Sequence, residues 1–246
     1  MNKFVGAVLL LGASISSANA TTDINEDFSL DGFVGFASQY RSRGLGMSQG
    51  DPALQFNGYI TSKKTGLYLG SWVSSTDFGH DTKNRYEADY YAGWFVPFSE
   101  DVNLDIGYIE YTYPKLSSLN FSETYGILTA YGFKVAAQYS TDYELFGKDQ
   151  STMYTWIGYE TDIPYGFRLS TRYGKMDYKD PVFYSTDWST RDSYKEWEVK
   201  VSHEFVGLNW ELSYIDTDLS KHECMYFMGY DDLCSATALA TVSKKF

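Results

Sequence analysis

The C-terminal segment of the chain alternates small or apolar side chains with polar ones and ends on an aromatic residue. The alternating positions are Ala236, Ala238, Ala240, Val242, Lys244 and Phe246. A period of two indicates a β-strand whose two faces meet different environments. A last strand that ends on an aromatic residue is typical of β-barrels of bacterial outer membranes, in which this strand pairs with the first and no edge is left free.

The N-terminal segment has the pattern of an export signal. Lys3 gives a basic start, residues 4–13 form an apolar run, and residues 18–20 are the small-residue site Ala-Asn-Ala. We predict a signal peptide over residues 1–20 with cleavage after Ala20. Because Thr21 rather than cysteine follows, we expect no lipid anchor. The apolar run is too short to cross a membrane as a helix.

Composition favours a membrane barrel and argues against one class of partner. The chain has 23 Tyr, 16 Phe and 6 Trp and a formal charge of −12. Aromatic rings with one polar end suit the membrane interface. An acidic chain is repelled by phosphate backbones, so we expect no nucleic-acid partner. No later stretch approaches the roughly 20 apolar residues of a membrane helix, so any membrane crossing must use strands.

Hydrophobic periodicity predicts twelve strands, each near the length of about 9 to 11 residues that crosses a bilayer at a tilt. They cover residues 30–42, 52–62, 66–77, 86–98, 102–113, 121–131, 132–142, 151–161, 166–177, 194–205, 207–218 and 235–246. We therefore expect an all-β fold: a short periplasmic segment over 21–29, then a transmembrane antiparallel up-and-down barrel over 30–246. A soluble sandwich or lipocalin-like barrel would show the same alternation with its apolar face inward.

The connections between these strands alternate between short and long. The short ones are 63–65, 99–101, 131–132, 162–165 and 206, and the long ones are 43–51, 78–85, 114–120, 143–150, 178–193 and 219–234. Short turns at one end of the barrel and long loops at the other are the organisation of outer-membrane barrels. We expect the turns to be periplasmic and the loops to be extracellular.

The two cysteines, Cys224 and Cys234, both lie in the last long loop. In a chain exported to an oxidising compartment this placement predicts a disulfide. Two free thiols, or a metal pair with His222, are the alternatives, but one histidine and two cysteines beside Glu223 make a poor zinc site. We expect no metal site, and the sequence contains no cofactor motif.

Several segments resemble the TorF family of predicted outer-membrane porins. They are residues 38–44 (SQYRSRG), 48–55 (SQGDPALQ), 66–78 (GLYLGSWVSSTDF), 87–93 (EADYYAG), 105–108 (DIGY), 111–114 (YTYP) and 242–246 (VSKKF). The similarity covers nearly all of the mature chain. Gln39 stands where the family often has Asp. The resemblance implies an outer-membrane porin architecture and names no transported solute.

Charged residues at inward strand positions would define the lumen of such a barrel. The predicted pore-lining residues are Glu87, Asp89, Asp105, Lys134, Gln138, Arg168, Arg172, Glu196, Glu198, Lys200, Glu204 and Glu211. Carboxylate rings favour cations, and Arg168 with Arg172 would form an opposing cationic ladder. Alternatively these charges pair with one another and close the interior. The expected partners are outer-membrane lipid and a small solute or ion.

The first long loop is a candidate constriction, because Arg41, Arg43 and Asp51 flank it and several glycines let it fold tightly. The alternative is a structural turn closed by an Arg–Asp pair. The leading functional hypothesis is a porin that allows passive diffusion of small solutes or ions through a narrow charged lumen.

Two other classes of function remain open. A closed-lumen receptor, adhesin or structural barrel would use its extracellular loops, and residues 178–193 carry the aromatic side chains Phe183, Tyr184 and Trp188 that could anchor a ligand. An enzyme needs a base beside its nucleophile, and the chain offers only three histidines, at positions 80, 203 and 222, without a recognisable triad motif. We therefore expect no enzyme.

Overall fold

The computed structural model describes residues 21–79, 82–145 and 147–246. Twelve long strands run antiparallel and each pairs with its neighbour in sequence. They are β1 (Phe28–Ala37), β2 (Ala53–Ser62), β3 (Leu67–Ser75), β4 (Tyr86–Pro97), β5 (Val102–Thr112), β6 (Phe121–Ala130), β7 (Phe133–Leu145), β8 (Lys148–Ile163), β9 (Phe167–Tyr178), β10 (Ser193–Phe205), β11 (Leu208–Thr217) and β12 (Thr237–Lys245). Each overlaps one predicted strand. The predicted signal peptide and its cleavage site lie outside the described residues.

The sheet closes on itself through its first and last long strands. β12 pairs with β1 from Thr241 opposite Ala37 to Lys245 opposite Phe33, and β1 pairs on its other side with β2. Beyond β12, the backbones of Phe246 and Gly32 exchange two hydrogen bonds of 3.1 Å. Closure confirms the expected barrel, since it leaves no long strand with an unpaired edge.

The outer face of the barrel is apolar. Large side chains such as Leu69, which is 64% exposed, alternate along each strand with buried side chains that point into the lumen. On β10, Trp197 and Val199 face outward while Glu196 and Glu198 face inward. A water-soluble sandwich or lipocalin-like barrel would have the opposite arrangement, so the structure does not support that alternative.

Short turns lie at one end of the barrel and long connections at the other. Two of the turns, Tyr131–Gly132 and Val206–Gly207, have positive φ at both residues, which matches the type I′ turn of tight hairpins. A 3₁₀ turn at Pro164–Gly166 makes a third. Among the described residues, no helix is long and apolar enough to cross a membrane.

The connections at the opposite end include three elements that the strand pattern did not predict. The predicted long loop over residues 143–150 is mostly strand, because β7 continues to Leu145 after an irregularity between Ser140 and Tyr143, and β8 begins at Lys148. Helix α1 (Lys221–Met228) lies in the last loop and begins with a capping box between Ser220 and Glu223. A second 3₁₀ turn covers Ser117–Leu119.

The last loop contains the predicted disulfide. Cys224 on α1 is bonded to Cys234, and their Cα atoms are 5.8 Å apart. The disulfide prediction is confirmed, and the alternatives of two free thiols or a cysteine metal ligand do not apply.

Tyrosine side chains pack against one another in the lumen on the side formed by β3 to β6, toward the short turns. The ring of Tyr68 lies over Gly93, the ring of Tyr125 over Gly107 and the ring of Tyr91 beside Gly70. Glycine is required there because a Cβ atom at any of the three positions would come within 2.6 Å of a tyrosine hydroxyl.

Candidate constriction in the lumen

The first long loop, residues 38–52, folds into the barrel and is called loop 1 below. Tyr40 packs against Trp72 of β3 with ring centroids 5.1 Å apart. The backbone N–H of Tyr40 donates to Ser48 Oγ (2.9 Å), and the N–H of Met47 donates to the carbonyl of Tyr40 (2.9 Å). Gly44, at φ 84°, lies so close to Thr217 of β11 that a Cβ atom there would be 2.4 Å from Thr217 Cγ2. Loop 1 therefore lies inside the barrel between β3 and β11, and the wall opposite it is formed by β6 to β8.

Arg43 fixes the tip of loop 1 to that wall. Its two Nη atoms donate to the two carboxylate oxygens of Glu123 on β6 at 2.8 and 2.6 Å, and Nη2 also donates to Gln138 Oε1 on β7 (2.7 Å). Its guanidinium lies 4.5 Å from the ring centroid of Tyr154 on β8. Tyr194 of β10 donates to the backbone carbonyl of Arg43 (3.0 Å).

A paired, bidentate arginine of this kind is geometrically specific. Arg43 is only 8% exposed, so the pair is shielded from water. Four strands hold one loop residue, and the loop is thereby held across the lumen.

Arg41 and Asp51 do not form the ion pair considered above. Arg41 Nη1 donates to the carbonyls of Gly44 (2.9 Å), Leu233 (2.9 Å) and Ser235 (3.0 Å), which joins loop 1 to the loop over residues 218–236. Asp51 is exposed, and its backbone N–H donates to Ser48 O (2.8 Å). No ion pair between described residues joins Asp51 to an arginine. The Arg–Asp pair of the alternative interpretation is therefore absent from the described part of the chain.

The wall formed by β9 to β11 carries a chain of alternating charges. Arg172 Nε donates to Glu196 (2.9 Å), and Arg172 Nη2 lies 3.2 Å from Glu198. Lys200 Nζ lies 3.7 Å from Glu198 and 3.6 Å from Glu211. In this network each cation has at least one carboxylate partner, so the cationic ladder is neutralised by its neighbours.

A second group of paired charges lies toward the short-turn end. Glu160 of β8 accepts from Lys134 (2.8 Å) and from Arg168 (3.0 Å), and Arg168 also donates to Asp162 (2.7 Å). Glu204 has an inward strand position but is exposed at this end of the barrel. All four predicted basic lumen residues therefore have acidic partners.

The opposite wall, β4 and β5, carries acidic side chains without cationic partners. Glu87 and Asp89 are 1% and 0% exposed, and Asp105 is also buried. Asp105 accepts a hydrogen bond from the hydroxyl of Tyr68, which is also bonded to the hydroxyl of Tyr125. No ion pair between described residues includes any of these three carboxylates.

All twelve predicted pore-lining residues thus lie on the lumen side of their strands. The sequence reasoning missed Glu123 and Glu160, which hold Arg43 and Arg168, and the tyrosines that bond the carboxylates. Glu123 lies on β6, where alternation is weak, so its direction could not be read from the sequence.

Loop 1 leaves little free space beside it. A cavity of about 60 Å³ lies between Arg41 and Trp72 on one side and Arg172, Lys200 and Glu211 on the other. The residues that line this cavity are mostly polar or charged.

Neither of the two histidines that the structure describes, His203 and His222, lies at this site. His203 faces outward near the short turns, with Nδ1 2.9 Å from the carbonyl of Gly166, and its ring stacks on Phe167. His222 is exposed on α1, and His80 lies outside the described residues.

The barrel resembles solved porin structures. A KdgM porin superposes with a TM-score of 0.51 at 11% sequence identity, over 88% of this chain and 98% of that porin. A NanC porin superposes with a TM-score of 0.52 at 11% identity, over 87% of this chain and 97% of that porin. At this identity the similarity shows a porin-type fold.

No curated protein sequence matches the chain significantly. A family model described as a bacterial protein of unknown function (Gcw_chp) matches residues 20–246. The chain is therefore a member of the Gcw_chp family.

Proposed function

We propose that the protein is an outer-membrane channel that allows small solutes or ions to diffuse through a lumen narrowed by loop 1. The observation that carries this proposal is the Arg43–Glu123 pair, which holds loop 1 across a lumen lined with charged side chains. The resemblance to TorF-family porins, the export signal and the closed barrel with its apolar exterior agree with an outer-membrane location.

The charges of the lumen favour cations or neutral solutes. Arg43, Arg168, Arg172 and Lys200 have carboxylate partners, whereas Asp105 and the pair Glu87 and Asp89 have no cationic partner among the described ion pairs. Unpaired carboxylates in a pore attract cations and repel anions. One KdgM porin structure is described in complex with oligogalacturonate, whose sugars carry carboxylates. For this chain we expect an acidic oligosaccharide to be a poor solute.

Single-channel recording in planar bilayers tests the proposal. Refolded protein under a KCl gradient should give discrete current steps and a reversal potential of the sign expected for cation preference. Arg43→Ala removes the contacts that hold loop 1 and should increase conductance severalfold. Arg85→Ala is the matched control, because Arg85 is an exposed arginine whose partner, Asp77, lies in another long loop.

A folded barrel that passes no current, in wild type and in Arg43→Ala alike, would contradict the channel. It would favour the closed-lumen alternative, in which the protein acts through its loops.

One observation supports that alternative: Trp188 is 81% exposed at the loop end, where the rings of Tyr184 and Tyr226 lie 4.4 Å apart. Ligand or surface binding that is lost on replacing Trp188 with Ala would then identify the receptor role. Neither role requires catalysis, and we propose no enzymatic activity.

A further inference from the structure

Two carboxylates of β4 lie buried beneath loop 1, and no ion pair between described residues includes either of them. Glu87 and Asp89 point into the lumen from positions two residues apart. Neither Oε2 of Glu87 nor either carboxylate oxygen of Asp89 has a hydrogen-bond partner of normal geometry among the described residues. Burying an unpaired carboxylate is costly, so groups in this position are normally paired or coordinate a metal.

The nearest guanidinium does not neutralise them. Both Nη atoms of Arg43 are bonded to Glu123 and Gln138, so Arg43 and Glu123 cancel each other's charge. In their ionised forms, Glu87 and Asp89 together carry two negative charges. A divalent cation would balance them.

A third oxygen approaches from loop 1. The Tyr40 hydroxyl is next to both carboxylates, and the Tyr40 side chain is 2% exposed. This hydroxyl also lacks a hydrogen bond of normal geometry. Burial, and then the charges of Glu87 and Asp89, raise the pKa of Tyr40 well above its ordinary value, so the oxygen stays a neutral hydroxyl.

Aromatic rings surround the carboxylates. In the strand register Asp89 lies between Trp72 of β3 and Tyr111 of β5. Tyr111 donates its hydroxyl to Glu123 (2.9 Å) and so does not pair with Asp89. These two aromatic neighbours bring no positive charge to Asp89.

We propose that Glu87 and Asp89, together with the Tyr40 hydroxyl, bind a divalent metal cation of the calcium class. Hard cations of this class take oxygen ligands, accept irregular geometry and complete their coordination with water. The cation would join loop 1, through Tyr40, to β4. This site does not depend on conduction, because a closed barrel could bind the same ion.

Terbium luminescence tests the site directly, since Tb³⁺ occupies calcium sites and is excited through nearby aromatic rings such as Trp72. The complete barrel in detergent should show saturable Tb³⁺ emission on excitation of its aromatic residues, and Ca²⁺ should displace it. Glu87→Gln and Asp89→Asn should each weaken Tb³⁺ binding by about tenfold or more. Glu110→Gln is the matched control, because Glu110 is an exposed carboxylate on the outward face of β5.

If the variants fail to fold, the effect of Ca²⁺ on the thermal stability of the wild-type barrel provides a second test. Ca²⁺ should raise the thermal midpoint of the wild-type barrel in proportion to its occupancy. Absence of both the Tb³⁺ signal and the Ca²⁺ shift in the wild type would overturn the proposal. Unchanged Tb³⁺ affinity in folded Glu87→Gln and Asp89→Asn variants would overturn it as well, and would indicate that these carboxyl groups are held protonated.

Discussion

The hydroxyl of Tyr68 lies directly over Gly93, where a Cβ atom would be 2.3 Å away. Tyr68 cannot simply swing aside, because its hydroxyl is bonded to Asp105 and Tyr125. The backbone carbonyl of Ile106 would also be 2.8 Å from the new atom. The lower lumen is thus packed by a tyrosine that requires a glycine on the neighbouring strand.

Gly93→Ala should therefore destabilise the barrel by about 1–3 kcal/mol, the usual cost of overpacking a filled interior. Urea unfolding in detergent, followed by tryptophan fluorescence, measures the change. Gly126→Ala is the control, since a Cβ atom at Gly126 would have its nearest neighbour at an ordinary 3.7 Å. Equal stability losses in the two variants would show that the Tyr68 contact is not the cause.

Removing either partner of the Arg43–Glu123 pair should destabilise the barrel, and the two losses should not be additive. Glu123→Ala leaves a buried guanidinium with Gln138 Oε1 and Met176 Sδ as its side-chain acceptors and no carboxylate, and loss of one partner of a buried ion pair typically costs about 3–5 kcal/mol. We expect the double variant with Arg43→Ala to lose less stability than the sum of the two single variants. Unfolding free energies of the four proteins complete the cycle. Additive losses would mean that the two side chains act independently.

A strand's inward and outward faces can be predicted from the sequence only where apolar and polar side chains alternate clearly along it. On β10 the contrast between Trp197 and Val199 on one face and Glu196 and Glu198 on the other fixes both the strand and its direction. Because alternate residues of the strand share a face, this contrast predicts that the glutamates of β10 point into the lumen. Glu123 could not be assigned in this way, since β6 has small or polar residues on both faces.

The course of loop 1 could not be predicted for a different reason. Arg43 and Glu123 are 80 residues apart, and their pairing depends on loop 1 folding into the barrel rather than away from it. Helix α1, in contrast, had a readable signal: Ser220 with Glu223 three residues later forms a capping box, and Gly229 ends the helix at φ 80°.

Acid should weaken the contact between two of the long loops. Arg191 Nε donates to Glu223 Oε1 (2.7 Å), and Arg191 Nη2 donates to Glu223 Oε2 (3.0 Å). Burial alone raises the pKa of Glu223, but hydrogen bonds from Arg191 and Ser220 outweigh it and hold the pKa below the ordinary 4.5. The pair therefore stabilises the loops above pH 4.5, and this contribution is lost as the pH falls through the lowered pKa.

The thermal midpoints of wild type and Glu223→Gln should accordingly differ most near neutral pH and converge in acid. Asp231→Asn provides a comparison within the same loop, because Asp231 forms an exposed pair with Lys221 at 3.7 Å. A difference between wild type and Glu223→Gln that stays constant from pH 7 to pH 3 would rule out titration of Glu223 as the cause.

Loss of the disulfide should make the loop over residues 218–236 more mobile without disrupting the strands of the barrel. The segment that ends at Cys234 supplies the carbonyl of Leu233 to Arg41 and the carbonyl of Cys234 to Thr217 Oγ1 (2.8 Å). Without the disulfide, the unfolded segment between the two cysteines gains conformational entropy, which costs about 2–3 kcal/mol of stability for a closed loop of this length. A Cys224→Ser, Cys234→Ser variant should be cleaved faster by trypsin after Lys221, while its strands remain resistant. Cleavage at the same rate as in the oxidised wild type would show that the contacts of Arg41 hold the loop by themselves.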